Sequence, residues 1–94
     1  MDAIVAKKQV KPENKGAYIE AALKLVEASR LEKGCLYYDL FEDRADPFTL
    51  VFVELWSDMD SIKSHNASKH FRELVPVLDS LTENKTVSTY RRLN

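Results

Sequence analysis

The stretch Thr49-Leu50-Val51-Phe52-Val53-Glu54-Leu55-Trp56 constrains the fold more than any other part of this chain. A β-strand turns alternate side chains to opposite faces. This one therefore presents Leu50, Phe52, Glu54 and Trp56 on one face and Val51, Val53 and Leu55 on the other. Both faces are apolar, so neither suits water. The preceding segment, Cys35 to Glu42, has the same character, with Cys35, Tyr37, Asp39 and Phe41 on one side and Leu36, Tyr38 and Leu40 on the other. A sheet with one solvated face would alternate apolar and polar residues. The sheet here needs a cover on each side.

The rest of the chain supplies one cover. Ala3 to Val10 is short and β-leaning and reads as a first strand. Pro12 suits the first turn of a helix, where a missing N–H costs nothing. Ile19, Ala22, Leu23 and Val26 recur at helical spacing as a buried stripe, flanked by Tyr18 and Leu25, and Gly34 reads as the stop. After the strand at 35–42, Asp43 to Pro47 is a turn. Ser57 follows the apolar strand as a helix cap, with Asp60 in a capping-box position. That helix ends near His65-Asn66. Ser68 caps another, with Phe71, Leu74, Val75 and Leu78 as its apolar stripe and Pro76 as a kink. Lys85 to Leu93 is the last strand. The order is β-α-β-β-α-β with the second helix broken, the ferredoxin-like arrangement of an α+β antiparallel sheet. Ninety-four residues suffice for one domain, taken here as 1–94. Two helical segments cover one face only, so the other face calls for the sheet of a second identical chain, giving a homodimer.

Several function classes are disfavoured. A net charge of −1 provides no basic footprint for nucleic acid. No apolar run approaches membrane-spanning length. Met1 to Val5 leads straight into strand-like sequence, so no signal peptide is expected. The single cysteine, Cys35, fits a reducing, cytoplasmic setting and reads as a packed thiol. With only Gly16 and Gly34, the chain has no glycine-rich phosphate loop, so no nucleotide cofactor is expected.

Few residues remain that could carry chemistry. Glu54 is a carboxylate between Phe52 and Trp56. It either pairs with a base such as Lys7, Arg91 or Arg92, or acts as a proton acceptor whose pKa burial has raised. Trp56 either packs in a core or interface, or walls a planar ligand. His65 and His70 are the only histidines. Their spacing of five does not put both on one helix face, and no third ligand lies nearby in sequence, so no metal site is expected. His65 falls at a helix end, which favours imidazolium, and His70 at a helix start, which favours the neutral ring and makes it the first choice of base.

Glu32-Lys33-Gly34-Cys35-Leu36-Tyr37-Tyr38 resembles the E-x-G-C-x-x-Y stretch of antibiotic-biosynthesis-monooxygenase domains. Glu54-Leu55-Trp56, then His65, then Ser68-Lys69-His70-Phe71, resembles their second signature, E-x-W…H-x-x-S-x-H-F. The resemblance implies a dimeric α+β barrel with a pocket in each subunit. It also implies cofactor-independent monooxygenation, in which a deprotonated quinol-like or phenolic substrate itself reduces dioxygen. His70, His65 and Glu54 would then be catalytic, and Trp56, Phe52, Phe71 and Tyr37 would hold the substrate. Some members degrade haem with an asparagine in the first strand; Ala3 to Lys8 contains none. An isomerase acting on a small carbonyl compound and a dimeric ligand-binding module are the alternatives.

Overall fold

A computed structural model describes residues 1–94. Strand β1 (Asp2–Val10) leads through a single 3-10 turn at Pro12–Asn14 into helix α1 (Lys15–Arg30). Strands β2 (Cys35–Glu42) and β3 (Thr49–Trp56) follow, then helices α2 (Met59–Asn66) and α3 (Lys69–Ser80) and strand β4 (Thr82–Arg91). The four strands form one antiparallel sheet in the order β2-β3-β1-β4. This is the expected α+β ferredoxin-like plan, with its second helix divided in two.

Pairing of the two central strands sets the core. Across β1 and β3, Asp2 faces Trp56, Ile4 faces Glu54 and Ala6 faces Phe52. The inner side chains Ile4, Ala6, Leu50, Phe52 and Trp56 are buried against Tyr18, Ala22, Leu25 and Val26 of α1, Ile62 of α2 and Leu78 of α3. The buried stripe of α1 is therefore rotated from the one expected. Tyr18 and Leu25, placed on its flank, are at its centre, whereas Leu23 is about half exposed. A register shift between Cys35 and Tyr37 changes the faces of β2. A bulge adds one residue to a strand, so Cys35 and Tyr38 both reach the inner side while Leu36 and Tyr37 are exposed.

Three local expectations are corrected. Gly34 is not the stop of α1, which ends at Arg30 with Leu31 as its cap in right-handed backbone. Gly34 instead allows close packing, since a Cβ there would overlap the Ser61 hydroxyl of α2. Asp58, not Ser57, caps α2, accepting from Ser61 N–H at 2.7 Å. Strand β4 starts at Thr82 rather than Lys85, directly after α3. The Ser68 cap is as expected, accepting from Phe71 N–H. Helix α3 continues through Pro76 as one helix.

All the helices lie on the inner face. The outer face carries Val5, Val51, Val53 and Leu55, each half-buried, beside the exposed Tyr37, Phe41 and Tyr90. No helix is long and apolar enough to cross a membrane.

Candidate functional site

A cavity of about 290 Å³ lies between the inner face of the sheet and the helices. Its walls are mainly apolar, with Phe52, Tyr38 and Ile4 from the sheet and Ile62, Phe71 and Leu25 from the helices. Polar groups enter at two ends. Glu54 and His65 stand at one, and Tyr18, Lys8 and Asp79 at the other. Ile4, opposite Glu54, and Lys8 are four residues apart on β1, so their backbone positions are about 13 Å apart at 3.3 Å per strand residue.

His65 comes from the last turn of α2 and is only 2% exposed. Its ring sits among aromatics, with centroids 4.6 Å from Trp56, 5.1 Å from Phe71 and 5.5 Å from Tyr38. Its Nδ1 lies 2.6 Å from Glu32 Oε2. An ionised carboxylate can only accept, so the ring N–H donates through Nδ1. That tautomer leaves Nε2 bare, at a residue lining the cavity. Burial lowers the pKa of His65, and the hydrogen bond and charge of Glu32 oppose the shift without reversing it. The neutral ring is favoured despite the helix end, because desolvation of a charge outweighs a terminal dipole.

Glu54 has no basic partner. None of Lys7, Arg91 and Arg92 pairs with it; its Oε1 accepts from the Trp56 indole N–H at 3.0 Å. Burial pushes its pKa up to about 7, while the indole hydrogen bond and the charge of Lys8 pull it down. Near neutrality this carboxyl is poised to take or give a proton.

The structure brings together four of the predicted site residues at the cavity: His65, Glu54, Phe52 and Phe71. The other three are placed elsewhere. Trp56 is fully buried behind His65 and does not form the wall. Tyr37 is exposed on the outer face, carried there by the bulge, and Tyr38 occupies the wall. His70 does not line the cavity; its Nε2 lies 2.9 Å from Glu32 Oε2 and its side chain is 22% exposed. Of the two histidines, only His65 lines the cavity.

Glu32, which is 33 and 38 residues from the two histidines, was absent from the expected site. Its only signal in the sequence was its place two residues before Gly34. Tyr18 was read as a packing residue, yet its buried hydroxyl has no hydrogen-bond partner and it lines the cavity. Thr82, close enough to influence it, donates its own hydroxyl to Leu78 O at 2.7 Å.

Glu32, His65 and His70 offer three ligating atoms within 4.8 Å of one another. The 2.6 and 2.9 Å separations are hydrogen-bond lengths. Ligands at about 2.1 Å from a tetrahedral ion would stand about 3.4 Å apart. Glu32 thus supplies in space the third ligating group that was not found near the histidines in sequence. Cys35 is a partly covered thiol whose pKa is raised by burial, as befits a packing role.

The antibiotic biosynthesis monooxygenase family model matches residues 1–77. A protein of Bacillus subtilis (strain 168) named "Putative monooxygenase YcnE" is 40% identical over 67 residues, covering 71% of this chain and 70% of that protein. A crystal structure described as an antibiotic biosynthesis monooxygenase matches with a TM-score of 0.93 at 35% identity, over 100% of both chains. A conserved protein from Methanosarcina mazei Go1 matches with a TM-score of 0.95 at 31% identity, over 98% of this chain and 92% of that one.

Proposed function

The chain belongs to the antibiotic biosynthesis monooxygenase family, and from that premise we propose that it is a cofactor-independent monooxygenase of a small quinol-like or phenolic compound. One observation carries the reading. A buried histidine, held neutral and fixed in the tautomer that leaves Nε2 bare, lines a cavity walled by aromatic rings. Phe52, Phe71 and Tyr38 provide faces for a planar substrate, and His65 takes its hydroxyl proton. The electron-rich anion gives an electron to dioxygen. Combination of the two radicals forms a carbon–oxygen bond as a peroxide at a ring carbon that bears hydrogen. The peroxide takes up the first proton from His65, and the resulting hydroperoxide loses its ring-carbon proton and hydroxide, which combine as water and leave a carbonyl. A positioned base contributes about a hundred- to ten-thousandfold in rate, and the mainly apolar walls limit contact between the anion and water.

The functional unit in this reading is a homodimer, each 94-residue chain acting as one domain. Val5, Val51, Val53 and Leu55 form an apolar sheet face that no helix of the same chain covers, and a second sheet packed on it closes the barrel. Light scattering should report twice the 10.8 kDa chain mass. A monomer at micromolar concentration removes the barrel from the proposal.

The test of the activity is oxygen uptake with a panel of quinols and phenols. His65→Ala should lose at least about a hundredfold in turnover, and His70→Ala should lose less. Wild-type protein that consumes no oxygen with any electron-rich aromatic sinks the monooxygenase reading. A proton-transfer reaction on a small carbonyl compound, using the same His65, would then stand first, and a ligand-binding role second.

A further inference from the structure

His65 is 2% exposed, yet a base must exchange its proton with something between turnovers. Apart from the cavity itself, one hydrogen-bonded route leads away from the ring. Its Nδ1 meets Glu32 Oε2 at 2.6 Å, and the same oxygen meets His70 Nε2 at 2.9 Å. Exposure rises along this line, from 2% at His65 to 16% at Glu32 and 22% at His70. The other neighbours of the ring, Trp56, Phe71 and Tyr38, close it off with aromatic faces. The Trp56 indole N–H is committed to Glu54. Two histidines on one carboxylate oxygen is more than holding a ring in place requires, since Glu32 alone fixes the tautomer of His65.

We propose that Glu32 and His70 form a proton path between the buried His65 and bulk water. The proposal rests on the reading of His65 as the cavity's base, not on which substrate is oxidised. A proton arriving at His65 Nε2 makes the ring a cation, which releases its Nδ1 proton to Glu32 Oε2. Beside the ionised carboxylate His70 donates through Nε2; exchange with water moves its proton to Nδ1, and the bare Nε2 then accepts the proton from the Glu32 carboxyl. His70 then releases the Nδ1 proton to water. Each group gains one proton and loses one, so the charge of the cluster is restored; His65 ends with its proton on Nε2, and return to the Nδ1–H tautomer that donates to Glu32 completes the cycle. Run inward, the same steps reload the site. Glu32 does not itself line the cavity and acts through His65. His70 is the outlet.

The test reads proton passage without any substrate. The exchange rate of the His65 Nδ1 proton with water is measured by nitrogen-15 NMR in the wild type, His70→Ala and His70→Gln. A path through His70 predicts that both variants slow this exchange by at least about tenfold, and that free imidazole restores it in His70→Ala, because an added base replaces the missing one. A His70 that merely shields Glu32 predicts the opposite sign, since removing the ring opens the carboxylate to water and speeds exchange. His70→Gln keeps a side chain able to donate to Glu32 but unable to carry a proton, and it answers the case in which the alanine variant fails to fold. Faster or unchanged exchange in the folded variants overturns the proposal. Slowed exchange restored by imidazole, in a protein that consumes no oxygen with any quinol, upholds the path and removes the monooxygenase reading alone.

Discussion

Replacing Glu54 by glutamine should change how stability depends on pH, and by an amount that the structure fixes. In the folded chain burial raises the carboxyl from 4.5 to about 7. The folded state thus holds the proton to a higher pH than the unfolded state does. Between these two values the unfolded chain releases its proton first, so stability falls as pH rises. The contribution is fully present below 4.5 and is lost by about 7. At about 1.4 kcal/mol for each tenfold, the whole gap is worth about 3 kcal/mol, of which about 2.5 falls between about pH 5 and about pH 8.

His65 titrates in the same range with the opposite sign. Its folded pKa is depressed by burial, so the unfolded chain takes up the proton first as pH falls, and stability falls in that direction. The wild-type curve mixes the two. Glutamine is close in size to glutamate, cannot ionise, and can still accept from the Trp56 indole at the position of Oε1. The difference between variant and wild type therefore isolates Glu54. Urea unfolding at about pH 5 and about pH 8 measures it. Glu54→Gln should gain about 2.5 kcal/mol on the wild type between the two conditions. A change in that difference below about 0.5 kcal/mol, the usual error of additivity, means that Glu54 ionises as though solvated, and the desolvation reasoning is wrong.

Trp56→Ala removes a fully buried ring and the only hydrogen-bond donor to Glu54; chemical denaturation should show a loss of about 3–5 kcal/mol. Tyr18→Phe should raise stability by about 1 kcal/mol in ligand-free protein, since it deletes a buried hydroxyl that has no partner, and a loss of that size would mean the hydroxyl is bonded. Gly34→Ala should cost about 1–3 kcal/mol because its methyl meets the Ser61 side chain. The double variant Gly34→Ala/Ser61→Gly should recover most of that loss in the same urea assay.

What was legible in the sequence follows from the range of each signal. Alternation along Thr49 to Trp56 is local, and it placed every inner residue of β3 correctly, Glu54 included. Helix caps are local too, yet Ser57 and Asp58 are both capping types side by side, and only the backbone decides that Asp58 accepts from Ser61. The β2 bulge leaves no trace in alternation, because Leu36, Tyr37, Tyr38 and Leu40 are all apolar or aromatic. Alternation put Tyr37 and Tyr38 on opposite faces without telling which face is inner, and Tyr37 was chosen where Tyr38 lines the cavity. The histidines were ranked by helix dipole alone. A terminal dipole is worth about 0.3–1 kcal/mol when exposed, whereas burial governs His65, and burial at a helix end depends on what packs over it.

Glu32 shows why the most consequential contact was also the least legible. Nothing periodic marks it, and its partners lie 33 and 38 residues away. The physical cause is nevertheless written in the same motif. Gly34 has no side chain, so the turn before β2 can lie against Ser61 of α2, and Ser57 N–H can donate to Gly34 O at 2.9 Å. Ser61 and His65 are four residues apart on that helix and so share a face. A turn held against Ser61 by Gly34 therefore presents Glu32, two residues earlier, to the ring one helical turn further on. The glycine and the glutamate of the motif serve one geometry, since a larger residue at 34 would move the carboxylate from the histidine whose tautomer it sets.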